Sequence, residues 1–143
     1  MSVSAPDSKF RILLVDDDEG MRSMVRLYID VMVEGVEWSE ASDGQHALEA
    51  FRELKPDLVI TDVNMPRMDG FAFVKEIEAL GFPLDRVVIQ TARVENLGPF
   101  DLDRVAGLLH KPYPMKVLLD KVINIKFESI KLAPANQPRE NAV

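Results

Sequence analysis

Five short apolar runs, each followed by polar residues and separated by helical stretches, constrain this chain more than any other feature. They are 11–15 (RILLV), 36–41 (VEWSEA), 58–61 (LVIT), 87–89 (VVI) and 107–110 (GLLH). The first, third and fourth show no alternation of apolar and polar residues, the pattern of a strand covered on both faces. The second is weaker because Glu37 and Glu40 interrupt it. Strands alternating with helices imply an α/β fold: a doubly wound, five-stranded parallel sheet with helices on both faces. Pattern alone takes the topology no further.

The intervening segments carry apolar stripes at helical spacing. Met24, Tyr28, Ile29 and Met32 form the first, with Gly35 as its stop, and Met21, Met24 and Met32 read as helix core. Asp43-Gly44 reads as a turn before the second stripe, Ala47, Leu48, Phe51 and Leu54, which Pro56 closes. Phe71, Val74, Ile77 and Leu80 form the third, ended by Gly81 and Pro83. Between 93 and 106, Gly98 and Pro99 stand where a helix disfavours both, so a short or irregular fourth helix is expected. The last stripe is Met115, Leu118, Leu119, Val122 and Ile123. Periodicity fades from Glu128. Residues 10–127 are therefore expected to form the domain, with flexible segments at 1–9 and 128–143.

A chain of 143 residues suits a single core. Its 17 basic against 24 acidic side chains give a formal charge of −7, which disfavours nucleic-acid phosphates and acidic membrane surfaces as partners. The absence of cysteine excludes disulfides, zinc–thiolate sites and cysteine nucleophiles. Two histidines, His46 and His110, are too few for a multi-histidine metal site. No apolar run approaches the roughly 18 residues of a membrane span, and residues 1–9 lack the basic start and apolar run of a secretory signal. A soluble cytoplasmic protein is expected.

Polar residues at the strand ends carry the chemistry. Asp16 and Asp17 follow the first strand, Asp62 the third, Thr91 the fourth and Lys111 the fifth. In a parallel sheet these ends share one edge, where doubly wound sheets bind ligands. Two unit charges about 4 Å apart repel by roughly 4 kcal/mol at an effective dielectric near 20. Three converging carboxylates therefore need a counter-charge. All-oxygen ligation suits a hard ion such as Mg²⁺, and one lysine suits a phosphoryl oxygen. Taken singly, each residue has a plainer reading. Asp17, Asp18 and Glu19 would cap a helix, Asp62 would turn the chain, Thr91 would end a strand and Lys111 would be solvated. Joint placement is what points to a site. Trp38 and His110 read as packing and His46 as solvated.

The blocks LLVDDDEGMRS, LVITDVNMPRMDGF, VVIQTAR and LLHKPY resemble, in that order, four blocks of the response-regulator receiver domain of bacterial two-component signalling. The likeness runs from about Phe10 to Phe127. Its most specific part is D-x-N-M-P-x-M-D-G with Lys-Pro two strands later. It implies the flavodoxin-like strand order 2-1-3-4-5, which sets the first and third strands side by side. It also implies roles. Asp62 would be the phosphoacceptor. Asp17 and Asp62 would bind Mg²⁺ (or Mn²⁺) directly, Asn64 through its backbone carbonyl and Asp16 through water. Lys111 would pair with one phosphoryl oxygen, Thr91 would hydrogen-bond another, and Pro112 matches the family's cis-proline. Two features depart from the family. Leu108 stands where an aromatic is usual, three residues before the lysine, and the segment between Ala92 and Lys111 is short and carries Pro99.

The resemblance implies a phosphorylation switch and not an enzyme, beyond self-catalysed phosphotransfer and autodephosphorylation. Its partners would be a histidine kinase or phosphotransfer protein and a downstream protein target. The target would be met through the fourth helix, fifth strand and last helix. Val117, Ile125 and Phe127 lie off the last stripe, as part of that surface or packed beneath the tail. A monomer is expected, with dimerisation on phosphorylation as an option. The residues after 127 are too few for an output domain, which favours a stand-alone receiver; the alternative is the receiver part of a longer regulator. A metal-dependent phosphatase or phosphotransferase working through an aspartyl intermediate commonly carries a second acid two residues after its nucleophile. Asn64 stands there instead. No glycine-rich phosphate loop follows the first strand, which argues against nucleotide binding.

Overall fold

Each of the five apolar runs is a strand. The computed structural model describes residues 9–65, 68–93 and 102–136. In chain order the elements are β1 (Phe10–Val15), α1 (Glu19–Met32), β2 (Val36–Ala41), α2 (Gly44–Leu54), β3 (Leu58–Asp62), α3 (Gly70–Ala79), β4 (Val87–Thr91), β5 (Gly107–His110) and α4 (Met115–Asn136). Short 3₁₀ turns occupy Leu84–Arg86 and Leu102–Arg104. All four ladders are parallel, in the order β2-β1-β3-β4-β5. No helix among the described residues is long and apolar enough to cross a membrane.

The missing alternation in β1, β3 and β4 follows from a core on each face. Ile12, Leu14, Leu58, Ile60 and Val88 pack with Val25 and Ile29 of α1 and with Leu118, Leu119 and Val122 of α4. Their neighbours Leu13, Val15, Val59 and Ile89 pack on the opposite face with Ala47 of α2 and with Phe73, Val74 and Ile77 of α3. Among the described residues β2 pairs only with β1 and is an edge, so Glu37 can stay exposed and Glu40 partly so.

Three stripes sit differently from the pattern. On α1 the buried residues are Val25 and Ile29, with Met21 and Tyr28 beside them, whereas Met24 and Met32 are about half exposed. The helix carries more apolar side chains than one sheet face can cover. On α3 the buried face includes Phe73, and Leu80 lies just past the helix, about half exposed. On α4, Ile125 is buried in the core while Val117, Ile123 and Phe127 are exposed. Ile125 therefore leaves the set proposed for a contact surface. α4 also runs through residues 128–136, where a flexible tail was expected. Glu, Ile, Lys, Leu and Ala keep helix propensity there after the amphipathic pattern has ended. Residues 1–8 and 137–143 lie outside the described residues. So does most of the expected fourth helix, of which only Arg93 and the stretch 102–106 are described.

Aspartates start three helices. Asp18 accepts from Met21 N at 3.2 Å, Asp43 from His46 N at 3.0 Å and Asp69 from Ala72 N at 2.8 Å. The glycines after Asp43 and Asp69 are required by contact. A Cβ on Gly44 would lie 2.2 Å from the Met68 carbonyl oxygen, and one on Gly70 would lie 2.0 Å from that of Asp62. Gly70 thus lets α3 begin directly against the end of β3. Gly70→Ala is expected to cost about 2–3 kcal/mol by overpacking against backbone, measured by urea unfolding. An unchanged midpoint would refute the close-approach role.

Candidate phosphoacceptor and metal site

Asp16 immediately follows β1, Asp62 is the last residue of β3, and Lys111 immediately follows β5. Their side chains meet. Lys111 Nζ donates to Asp16 Oδ2 at 2.7 Å and to Asp62 Oδ2 at 2.8 Å. Asp16 is fully buried and Asp62 nearly so, while Asp17 is exposed at the mouth. One carboxylate oxygen from each of Asp16, Asp17 and Asp62 lies within 4.8 Å of the other two. The strand order produces this meeting, because β1 and β3 are neighbours, with Val15 beside Thr61 in register. The Lys111–Pro112 bond is cis, as the resemblance implied.

Burial pushes the Asp16 carboxyl above its ordinary pKa, against hydrogen bonds from Lys111 and the Asp18 N–H. Burial also pulls on the Lys111 ammonium, but Asp16 and Asp62 outweigh it and hold the pKa above the usual lysine value. One ammonium against three carboxylates leaves a local excess of negative charge. A hard cation with oxygen ligands fits that excess and this donor set.

The sequence profile of the response regulator receiver domain matches residues 12–123. The chain belongs to this family. It is 34% identical over 119 residues to the response regulator MprA of Mycolicibacterium vanbaalenii, across 78% of this chain and 48% of that protein. A protein-glutamate methylesterase/protein-glutamine glutaminase of Methanosarcina mazei is 33% identical over 133 residues, across 83% of this chain and 36% of that protein. The chain thus spans about half or less of these two relatives. Sporulation initiation phosphotransferase F of Bacillus subtilis is 31% identical over 121 residues, across 74% of this chain and 95% of that protein. Among solved structures, the chemotaxis response regulator CheY4 of Vibrio cholerae aligns with a TM-score of 0.68 at 30% identity, covering 82% of this chain and 99% of that one.

In this receiver domain the remaining candidate residues surround Asp62. Asn64 N donates to Asp62 Oδ1 at 3.1 Å, and Asn64 Nδ2 donates to Thr91 Oγ1 at 3.0 Å. Thr91, buried at the end of β4, also accepts from Arg93 N at 3.1 Å. The main chain at Lys111 is tied to the same strand, through Lys111 N to Thr91 O at 2.8 Å. Arg22 steadies the turn after β1 by donating to the Asp16 carbonyl and to Glu40. Of the residues read as packing, Trp38 donates its indole N–H to Asp30 at 2.7 Å. His110 is exposed, with Nε2 3.2 Å from the Ala92 carbonyl oxygen. Leu108 packs partly buried against the core shared with α2 and α3.

Sequence reasoning missed two residues here. Gln90, fully buried in β4, donates Nε2 to Asp16 Oδ2 at 3.1 Å, and the Tyr113 hydroxyl donates to Gln90 Oε1. The available signal was a long polar side chain inside the apolar run VVIQT, followed at a distance by Tyr after Lys-Pro.

Proposed function

We propose that this receiver domain is a phosphorylation-controlled switch of two-component signalling, with Asp62 as phosphoacceptor. The observation that carries the reading is the Lys111 ammonium seated between Asp62 and Asp16, with Asp17 beside them. The Asp62 carboxylate attacks the phosphorus of a phosphohistidine, on a histidine kinase or phosphotransfer protein, or of a small phosphodonor. An O–P bond forms, and the bond to the donor breaks with its electron pair leaving on the donor. Lys111 then turns from Asp62 Oδ2 to a phosphoryl oxygen, and the Thr91 hydroxyl hydrogen-bonds another. Asp16, Asp17, Asp62 and the Asn64 backbone carbonyl would hold Mg²⁺ or Mn²⁺. Bound there, the cation would supply positive charge against the phosphoryl oxygens.

Output is by protein contact in the cytoplasm, as a monomer before phosphorylation, with the exposed Val117 and Phe127 of α4 available to a target. The near full-length match to phosphotransferase F supports a stand-alone role; the matches to longer regulators keep the receiver-part alternative. An aspartyl phosphatase is not supported, because Asn64 offers an amide, bound to Thr91, in place of a second acid. Incubation with Mg²⁺ and a small acyl phosphate is expected to add one phosphoryl group by intact-protein mass spectrometry, and excess EDTA to prevent it. No gain with Mg²⁺ present would sink the reading.

A further inference from the structure

Asp16 is fully buried, and its carboxylate accepts from three donors: Lys111 Nζ, Gln90 Nε2 and the Asp18 N–H at 2.9 Å. Lys111 is shared with Asp62. Among the described residues, the amide of Gln90 is therefore the one side-chain donor given to Asp16 alone. A buried primary amide has two faces. With its N–H group toward Asp16 it stabilises the carboxylate; reversed, it would set a carbonyl oxygen against an anion. The first orientation leaves Oε1 in need of a donor inside the protein, and the Tyr113 hydroxyl supplies it. Tyr113 keeps its proton for this, since burial and the nearby Asp16 and Asp62 all push its pKa upward. Its position, two residues before α4 begins, ties the network to that helix.

We propose that Gln90 and Tyr113 are positioning residues for the acidic site: Tyr113 fixes the Gln90 amide, and the amide fixes the Asp16 carboxylate for a divalent cation. This rests on the cation-binding part of the reading above, and not on which carboxylate accepts the phosphoryl group. Groups that orient a ligand from behind typically change metal affinity by 10–100-fold when removed. Gln90 and Tyr113 act in series, so their effects overlap and do not add.

Calorimetric titration with Mg²⁺ alone tests this on the full chain, using Gln90→Met, Tyr113→Phe and the double variant. Gln90→Met is expected to weaken Mg²⁺ about tenfold, Tyr113→Phe by less, and the double variant no more than Gln90→Met. Ring-labelled tyrosine NMR adds a readout that loss of packing does not mimic. The chain has two tyrosines, Tyr28 and Tyr113, so Tyr113→Phe assigns the signal. Mg²⁺ is expected to shift the Tyr113 ring in the wild type and not in Gln90→Met. Should Gln90→Met not fold, Tyr113→Phe, which removes a single oxygen, carries the test. Wild-type affinity in either single variant, or additive losses in the double, overturns the proposal. A wild type that binds no Mg²⁺ overturns it too, together with the cation reading of the whole site.

Discussion

Asp62→Asn is expected to take up no phosphoryl group under conditions that fully label the wild type. An amide nitrogen is a poor nucleophile, and the carboxylate oxygens of Asp16 are enclosed by Lys111, Gln90 and the Asp18 N–H. The substitution is close to isosteric. It keeps an oxygen for the Asn64 N–H, and it leaves the Lys111–Asp16 pair in place. Stability is therefore expected to stay within about 1 kcal/mol of the wild type, so a loss of labelling reports on chemistry and not on unfolding. Intact-protein mass spectrometry with a parallel urea unfolding curve checks both. Equal labelling of the variant would remove Asp62 from its role.

Lys111→Met is expected to lower stability by about 2–3 kcal/mol when divalent cations are chelated. Methionine retains most of the aliphatic stem, so the change isolates the charge. Removing one partner of a buried pair usually costs about 3–5 kcal/mol. The lysine side chain here is 18% exposed, which moderates the figure. What remains is Asp16 with no cation against it and Asp62 close by. The pH dependence has a definite sign. Burial already holds the Asp16 pKa above its ordinary value, and loss of Lys111 raises it further. The ionisation cost therefore applies in full at neutral pH, shrinks as the pH falls through that raised pKa and Asp16 takes a proton, and is gone at the ordinary carboxylate value. Mg²⁺ held by these carboxylates would supply the missing positive charge, so it is expected to stabilise the variant more than the wild type. Thermal melts in EDTA and in Mg²⁺, at neutral and acidic pH, check this. Identical midpoints for variant and wild type in EDTA would show that Lys111 does not balance the carboxylates.

Strand runs and strand-end polar residues were legible because both obey a local rule. An apolar run without alternation has only one use in an α/β sheet, and the residue after it falls at one edge. That rule places Asp16, Asp17, Asp62, Thr91 and Lys111 at one edge from sequence alone, and resemblance supplies the strand order. Side-chain direction was not legible. Asp16 and Asp17 are adjacent at the end of the same strand, yet the turn buries one and exposes the other. Gln90 drew no role from the sequence because its partners, Asp16 and Tyr113, are 74 and 23 positions away. The helix stripes were rotated where apolar residues outnumber core positions, as with Met24 and Met32. Asp43-Gly44 read as a turn because the carbonyl of Met68, which forbids a Cβ there, belongs to another loop.

Borohydride reduction of the phosphorylated chain, followed by peptide mapping, converts an aspartyl phosphate into homoserine and so marks the acceptor directly. Homoserine is expected at position 62 alone, and only after incubation with Mg²⁺ and phosphodonor. Homoserine at position 16 or 17 with position 62 unchanged, or at no position in a chain that carries the phosphoryl mass, would contradict Asp62 as the phosphoacceptor.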